Sequence, residues 1–468
     1  GLIVTLLLFM FFFFDPVSGL LYPLDKMIEG APIPIHIVAT VLIMSAVALP
    51  LGAKILFTKR DLRPVTRFLN TVAACAFAMP AMSLSYRAVM TSSETISVAN
   101  QQDAAGPSVQ VRKKNTDKPD IYFIVLDGCA RADVFEEIYD GDNSEFYDFL
   151  EDNGFFVAEN GRANYCQTYL SLASTMNMTH LTDLAKKMGA KSTNRSPLKK
   201  MVHDSKLVEL LKQEGYEFVA FASGYAGTSI ESADVYLEPD ESTSEFQEIL
   251  SRAVPIPGIS KPKGGYDRHR VRVLYTLDKL KGIPESDKPQ FVFAHILSPH
   301  PPFVFAADGK PIRPNWKYGL FDGTTYMRYG THEKYLRQYR EQMLFITGKL
   351  RESLESIIAH SPDAVIIIQG DHGPGAELNW KSTAKTNVWE RMSILNACRI
   401  PDGGNELLYP EITSANTFRV VLNHLFETKY ELLEDRSYFS VFAHPYMLKD
   451  VTNRAVKMER RLPAEKQE

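Results

Sequence analysis

Cysteine is scarce in this chain, with 4 in 468 residues and no CxxC pair. That excludes both a zinc knuckle and a disulfide framework. An excess of charge of one sign is lacking too. Fifty-two Lys and Arg against 56 Asp and Glu leave a formal charge of -4 and a sequence pI near 6.3. There is therefore no basic face of the kind a nucleic-acid partner requires. No internal repeat is present. The apolar residues, by contrast, are abundant and very unevenly spread.

The chain opens on GLIVTLLLFMFFFF, with no initiator Met and no preceding charge. It reads as the tail of a membrane-spanning helix that starts upstream of residue 1. An all-apolar run of this kind has no amphipathic face to leave wet. Residues 34–57, PIHIVATVLIMSAVALPLGAKILF, form a second candidate, long enough to cross a hydrocarbon core of about 30 Å. A third and weaker one covers residues 68–86, with Pro80 inside it. Lys54, Lys59, Arg60, Arg63 and Arg67 cluster between the second and third spans, whereas the loop after the first is slightly acidic. The positive-inside bias makes the basic connection cytoplasmic and places the rest of the chain outside the cytoplasm.

The expected organisation is a membrane domain over residues 1–90, a polar linker without periodicity over 91–118, a catalytic domain over 119–446 and a charged tail over 447–468 lying loosely on the surface. In the third part, nearly continuous apolar runs alternate with helical patterns. Residues 121–127 (IYFIVLD), 216–223, 290–297 and 364–371 (AVIIIQGD) read as strands covered on both faces. Residues 205–215 and 333–358 read as helices, the Met and Phe residues of the second being core. The implied fold class is α/β, with a mainly parallel central sheet flanked by helices and preceded by transmembrane helices.

Three of those strands end on chemistry-bearing residues. They are Asp127 before Gly128, Asp371 and His372 before Gly373, and His295 and His300 ahead of a proline pair. In an open parallel sheet the carboxyl ends of the strands line the ligand crevice. Two carboxylates and imidazoles converging there suit a divalent ion with mixed oxygen and nitrogen ligands, zinc or manganese; the imidazole makes calcium less suited. The stretch NYCQTYLSLAS, residues 164–174, offers Cys166, Thr168, Ser171 and Ser174, and nothing inside it selects a nucleophile. Thr168 sits in an N-cap-like position at the start of a helical pattern. A hydroxyl there lies at the positive end of a helix dipole, where phosphate is favoured, and a neighbouring metal would activate it.

The ordered set DGCARAD from Asp127, QTxxSLAS from Gln167, HxxxPHPPF from His295 and GDHG from Gly370 resembles the sulfatase-like, membrane-anchored branch of the alkaline phosphatase superfamily. Within it the sequence is most similar in kind to lipoteichoic acid synthases and to phosphoethanolamine and phosphoglycerol transferases of bacterial envelopes. The resemblance covers roughly residues 118–444 and extends to the order of membrane spans, linker and extracytoplasmic domain. It implies that Asp127, Thr168, Asp371 and His372 bind one metal and that Thr168 is the nucleophile. Thr168 would take a phosphoalcohol from a phospholipid donor and pass it to an envelope glycan or lipid-linked glycan acceptor. His300, and less centrally His295, would contact the substrate, with His300 stabilising charge in the transition state. The implied location is the bacterial inner or plasma membrane, multi-pass, with a periplasmic catalytic domain.

The chain departs from that family in several places. Phosphoethanolamine transferases usually carry Glu where Asp127 stands. No further histidine follows the Asp-His pair in GPGAELNWKSTAKTNVW, which argues against a second metal. CQTYL lacks the Cys-x-Pro/Ala-x-Arg pattern of sulfatases proper, so Cys166 is no formylglycine precursor. A Cys129–Cys166 bridge would leave Cys398 unpaired, and all three are read as unbridged. Arg131 and Asp133 are expected to pair locally and start a helix. Glu377 and Trp380 fit either an acceptor site or loop packing. Two rivals stay open at this level. One is a phosphodiesterase or phosphatase on the same site; the other is a non-catalytic envelope protein that binds glycan or protein.

Overall fold

The computed structural model describes residues 118–239 and 264–456, the helix Ile35–Phe57, and isolated positions among the first 71 residues. Apart from isolated positions, the expected spans at residues 1–14 and 68–86, together with almost all of the linker 91–118 and the chain beyond 456, lie outside the described residues. The chain divides into two compact units, residues 1–107 with 243–262, and residues 108–242 with 263–468.

Among the described residues, the first unit contributes the long helix Ile35–Phe57. Within it Val38–Phe57 is long and apolar enough to cross a membrane by length and composition. Its side chains are largely uncovered, with Leu49 72 % and Phe57 85 % exposed. A helix apolar all round, as this one is, has no polar face to turn to water.

The second unit is built on a seven-stranded sheet. In chain order the strands are β1 (Ile121–Leu126), β2 (Phe156–Val157), β3 (Glu217–Phe221), β4 (Val235–Leu237), β5 (Gln290–Ile296), β6 (Val365–Gly370) and β7 (Asn396–Arg399). Their spatial order is β2-β7-β6-β1-β5-β3-β4. β6, β1, β5, β3 and β4 are parallel neighbours, while β7 runs antiparallel to both β6 and β2. The four strands expected from apolar runs are the contiguous centre of this sheet. The short outer strands, β2 and β7 on one side and β4 on the other, have two to four residues each and were not anticipated.

Successive side chains of a strand face opposite sides, and both sides are covered here. Tyr122, Ile124 and Leu126 pack into one core with the helices Ala132–Tyr139, Gly265–Lys279 and His332–His360. Ile121, Phe123 and Val125 pack into a second core with the helices Thr168–Asn177, Lys206–Gln213 and Ser414–Phe426. The long helix His332–His360 starts where the Thr331 hydroxyl accepts from Lys334 N at 3.2 Å. Tyr335, Tyr339, Met343, Ile346, Leu350, Leu354 and Ile357 line its buried stripe at helical spacing. Met343 is core as expected, and the half-buried Phe345 stacks on Phe305 with ring centres 4.8 Å apart.

The start of the charged tail is ordered, contrary to the expectation of a loose segment. Lys449–Asp450 (β9) pairs with Tyr438–Phe439 (β8), and Val451 and Ala455 are buried behind it. The apolar Val and Ala at that spacing, masked by charged neighbours, account for the difference.

Candidate active site

The carboxyl ends of β1, β5 and β6 are knitted together by backbone bonds. Asp127 N donates to Ile296 O and His300 N donates to Asp127 O, each at 2.9 Å. Gly128 has φ +70°, the left-handed region that a side chain disfavours. That turn aims its N–H at Asp371 Oδ1, 3.1 Å away. A Cβ on Gly373 would lie 2.0 Å from Glu390 O, so only glycine fits directly after His372. The peptide bonds Ser298–Pro299 and Pro301–Pro302 on either side of His300 are cis.

These turns bring Asp127, Asp371 and His295 together. One ligating atom from each lies within 4.8 Å of the others, and all three residues are buried. His295 Nε2 is 3.5 Å from Asp127 Oδ2, and His372 Nε2 is 3.6 Å from Asp127 Oδ1 and 3.3 Å from Asp371 Oδ2. Asp127 Oδ1, Asp371 Oδ2 and His295 Nε2 are buried without any hydrogen-bond partner. Unpartnered buried polar atoms are costly and need a reason. A divalent ion supplies one, and carboxylate oxygens with imidazole nitrogen are the donor set zinc or manganese takes. Burial pushes Asp127 up, but the charge of His300 and the neighbouring His295 and His372 imidazoles outweigh it and hold the carboxyl below the usual carboxylate range. His295 is not the backbone-bonded strand histidine that a purely structural role would make it. Its Nδ1 lies 2.7 Å from the Thr228 hydroxyl, which fixes the ring with Nε2 toward the carboxylates.

Thr168 is the first residue of the helix Thr168–Asn177; Gln167 occupies the cap position, one residue before the expected place. The difference has a chemical consequence. The Thr168 hydroxyl is not consumed in capping and instead lies 3.2 Å from His372 Nε2. His372 Nδ1 lies 3.0 Å from Gly373 O, which can only accept, so Nδ1 carries the proton and the Nε2 lone pair faces the hydroxyl. Burial, followed by the charge of Arg391, keeps this imidazole below its ordinary pKa and hence neutral. Ser171, Ser174 and Thr175 are buried further along the helix.

His300 faces the same cavity with its Nε2 3.5 Å from Asp322 Oδ2. Burial works against its charge, but Asp127 and Asp322 more than offset this and raise the imidazole to about 9. Asp322 itself accepts from Arg391 at 2.8 Å, Tyr335 at 2.6 Å and Gly323 N at 2.8 Å. Gln342 holds the His300 loop, its Nε2 donating to Pro299 O and its Oε1 accepting from Val304 N.

Asp322, Arg391, Tyr335 and Gln342 escaped sequence reading. Asp322 precedes a glycine and reads as a turn residue, and Tyr335 and Gln342 read as helix filling. The one available signal was a Glu-Arg pair, Glu390-Arg391, embedded in the apolar run VWERMSIL.

The cavity above these groups has a volume of about 360 Å³. Thr168, His300, His372 and Asp127 line it together with Tyr169, Tyr225, Trp380, Phe442 and Arg195. Trp380 both lines the cavity and donates from Nε1 to Asp322 O at 3.2 Å, whereas Glu377 is loop packing, bonded to Asn387. Arg131 and Asp133 pair bidentately at 2.7 Å and begin the helix Ala132–Tyr139. Cys129, Cys166 and Cys398 are free and buried.

No family model matches the sequence. No curated protein matches it either. Among solved structures it is similar to the C-terminal periplasmic domain of EcEptC from Escherichia coli in complex with Zn, at 12% identity and a TM-score of 0.42 over 72% of this chain and 94% of that one. It is also similar to the integral membrane lipooligosaccharide phosphoethanolamine transferase A (EptA) from Neisseria meningitidis, at 11% identity and a TM-score of 0.42 over 83% of this chain and 69% of that one. The 2-O GAG sulfatase BT1596 matches at 14% identity and a TM-score of 0.43, over 67% of this chain and 72% of that one.

Proposed function

We propose that the chain is a metal-dependent transferase that moves a phosphoalcohol, phosphoethanolamine or phosphoglycerol, from a phospholipid to an envelope glycan or glycolipid through a phospho-threonine at Thr168. The observation that carries this reading is the Thr168 hydroxyl, freed from capping and 3.2 Å from the lone pair of His372, beside a buried pair of carboxylates with unpartnered oxygens. A module that only binds glycan has no use for that juxtaposition. The membrane part over residues 1–90, multi-pass at the bacterial inner membrane, the linker 91–118 and an extracytoplasmic domain over 119–446 belong to the same reading, since a lipid donor is presented at a bilayer.

Asp127, Asp371, His372 and Thr168 would hold one zinc or manganese ion with His295 as a further donor, and such an ion supplies positive charge to the phosphoryl oxygens and acidity to the hydroxyl. The rest follows from the chain's own groups. Thr168 Oγ forms a bond to phosphorus as the bond from phosphorus to the diacylglycerol oxygen breaks, and the hydroxyl proton ends on diacylglycerol. In the second step an acceptor hydroxyl forms the new phosphodiester and Thr168 regains its proton. His300, anchored by Asp322, faces the reacting group and stabilises charge developing on its oxygens. Thr168 also opens the helix Thr168–Asn177, whose positive end favours a phosphoryl group.

The test is the intact mass of the protein after incubation with mixed phospholipids and zinc or manganese. An added mass equal to phosphoethanolamine or phosphoglycerol, absent in Thr168→Ala, supports the reading and names the headgroup. Diacylglycerol released without an adduct makes water the acceptor and the protein a hydrolase. Neither product removes phospholipid as donor.

A further inference from the structure

The cavity carries a guanidinium for which the transfer chemistry has no use. Arg195 precedes the helix Ser196–His203 and lies over the ring of Phe442, its Cζ 4.6 Å from the ring centre. Its Nη2 donates to Gln167 Oε1 at 3.3 Å and to Phe442 O. Gln167 is fixed in turn, its Nε2 donating to Ser440 Oγ at 2.8 Å. Both acceptors of Arg195 are neutral, and among the described residues no carboxylate pairs with it. A guanidinium held in one orientation, with spare donors and no counter-charge, is a recognition element for a planar or tetrahedral anion. Around it stand flat apolar faces. Trp380 and Phe442 lie 5.2 Å apart, and Tyr169 and Tyr225 5.0 Å apart.

We infer that the part of the cavity lined by Arg195 and these aromatic rings is the acceptor subsite and that Arg195 is a specificity-determining residue, binding a phosphate or carboxylate carried on a sugar ring of the acceptor. The aromatic faces suit the ring and the guanidinium suits the anion. The anion belongs to the acceptor because the donor's one phosphoryl group is required at Thr168. The two headgroups of the reading above, ethanolamine and glycerol, bring no second negative charge. The inference deepens that reading and uses it only to decide which substrate bears the anion.

Two measurements on the full chain in detergent test it. In the first, glucose 6-phosphate, glucose and inorganic phosphate are titrated calorimetrically, with zinc and after its removal. Glucose 6-phosphate is expected to bind in both states and more tightly than either fragment. Its affinity should fall about tenfold or more in Arg195→Gln, partly recover in Arg195→Lys, and persist in Asp371→Asn, which disables the carboxylate–imidazole group instead. Equal affinity in wild type and Arg195→Gln overturns the inference, as does loss in Asp371→Asn alone. In the second, formation of the Thr168 adduct and its discharge by an acidic oligosaccharide are timed separately. Slower discharge in Arg195→Gln, with formation unchanged, supports an acceptor anion. Slower formation instead assigns Arg195 to the donor phosphoryl and overturns the inference. Absence of any adduct would defeat the transferase reading while leaving the titration to decide the sugar-anion site independently.

Discussion

Arg391 and Asp322 meet at 2.8 Å, Nη1 to Oδ2, with both side chains almost wholly buried. The same guanidinium donates from Nε to Cys166 O at 3.0 Å and from Nη1 to Gly373 O at 2.9 Å. One residue therefore ties together the loop that leads into Thr168, the loop that follows His372, and the carboxylate that faces His300. Breaking such a pair by removing one partner leaves a buried charge uncompensated, at a cost of about 3–5 kcal/mol. Arg391→Met is expected to destabilise the protein by that order, measured by denaturant unfolding. Arg391→Met with Asp322→Asn should recover part of the stability but not the activity, because the three loops remain untied.

Metal should stabilise the fold measurably. The carboxylates of Asp127 and Asp371 hold oxygens that no protein group satisfies, so an ion binding only the native arrangement adds about 2.7 kcal/mol at a hundredfold excess over its Kd. The thermal midpoint of the full chain is expected to rise on adding zinc or manganese and fall on chelation. In Asp371→Asn the rise should vanish. A midpoint indifferent to both ions would sink the metal-dependent reading.

His295 gives a sharper check on which imidazole serves the ion. Thr228 Oγ1 holds its Nδ1 at 2.7 Å, and partners of that kind orient a ligating ring, their loss costing about 10–100-fold in metal affinity. Thr228→Val is accordingly expected to weaken zinc binding by about that factor, read by competition with a chelating dye. Unchanged affinity would return His295 to a neighbour of the site.

Much of this arrangement was legible before any coordinates, and the limits of legibility are physical. Parallel strands covered on both faces must be apolar throughout, so residues 121–126, 290–296 and 365–370 announced themselves, and with them the strand ends carrying Asp127, His300 and Asp371. The antiparallel edge was silent because Asn396–Arg399 is four residues long and holds Asn and Arg. The place of His295 required register. It pairs with Val125 across β1 and β5, and a side chain two residues before Asp127 on a pleated strand points to the same face. Composition alone cannot supply a register. Arg391 was hidden for a different reason, since a five-residue helix has no period to read.

A last prediction concerns pH and a group outside the cavity. Glu390 is buried, accepts from Tyr139 OH at 2.5 Å, and receives Ala376 N and Glu377 N at 2.9 Å each. Burial raises its carboxyl from 4.5 to about 7, against the pull of the Tyr139 and Glu377 bonds. The folded state therefore binds a proton that the unfolded chain has already released between those two pH values. The stabilisation is complete below pH 4.5 and is lost as pH rises toward 7, by an amount on the order of 3 kcal/mol. Unfolding free energy measured across that window should fall more steeply in wild type than in Glu390→Gln, whose amide keeps the shape and cannot titrate. Identical slopes for the two proteins would show that Glu390 stays ionised in the fold, its three donors outweighing burial.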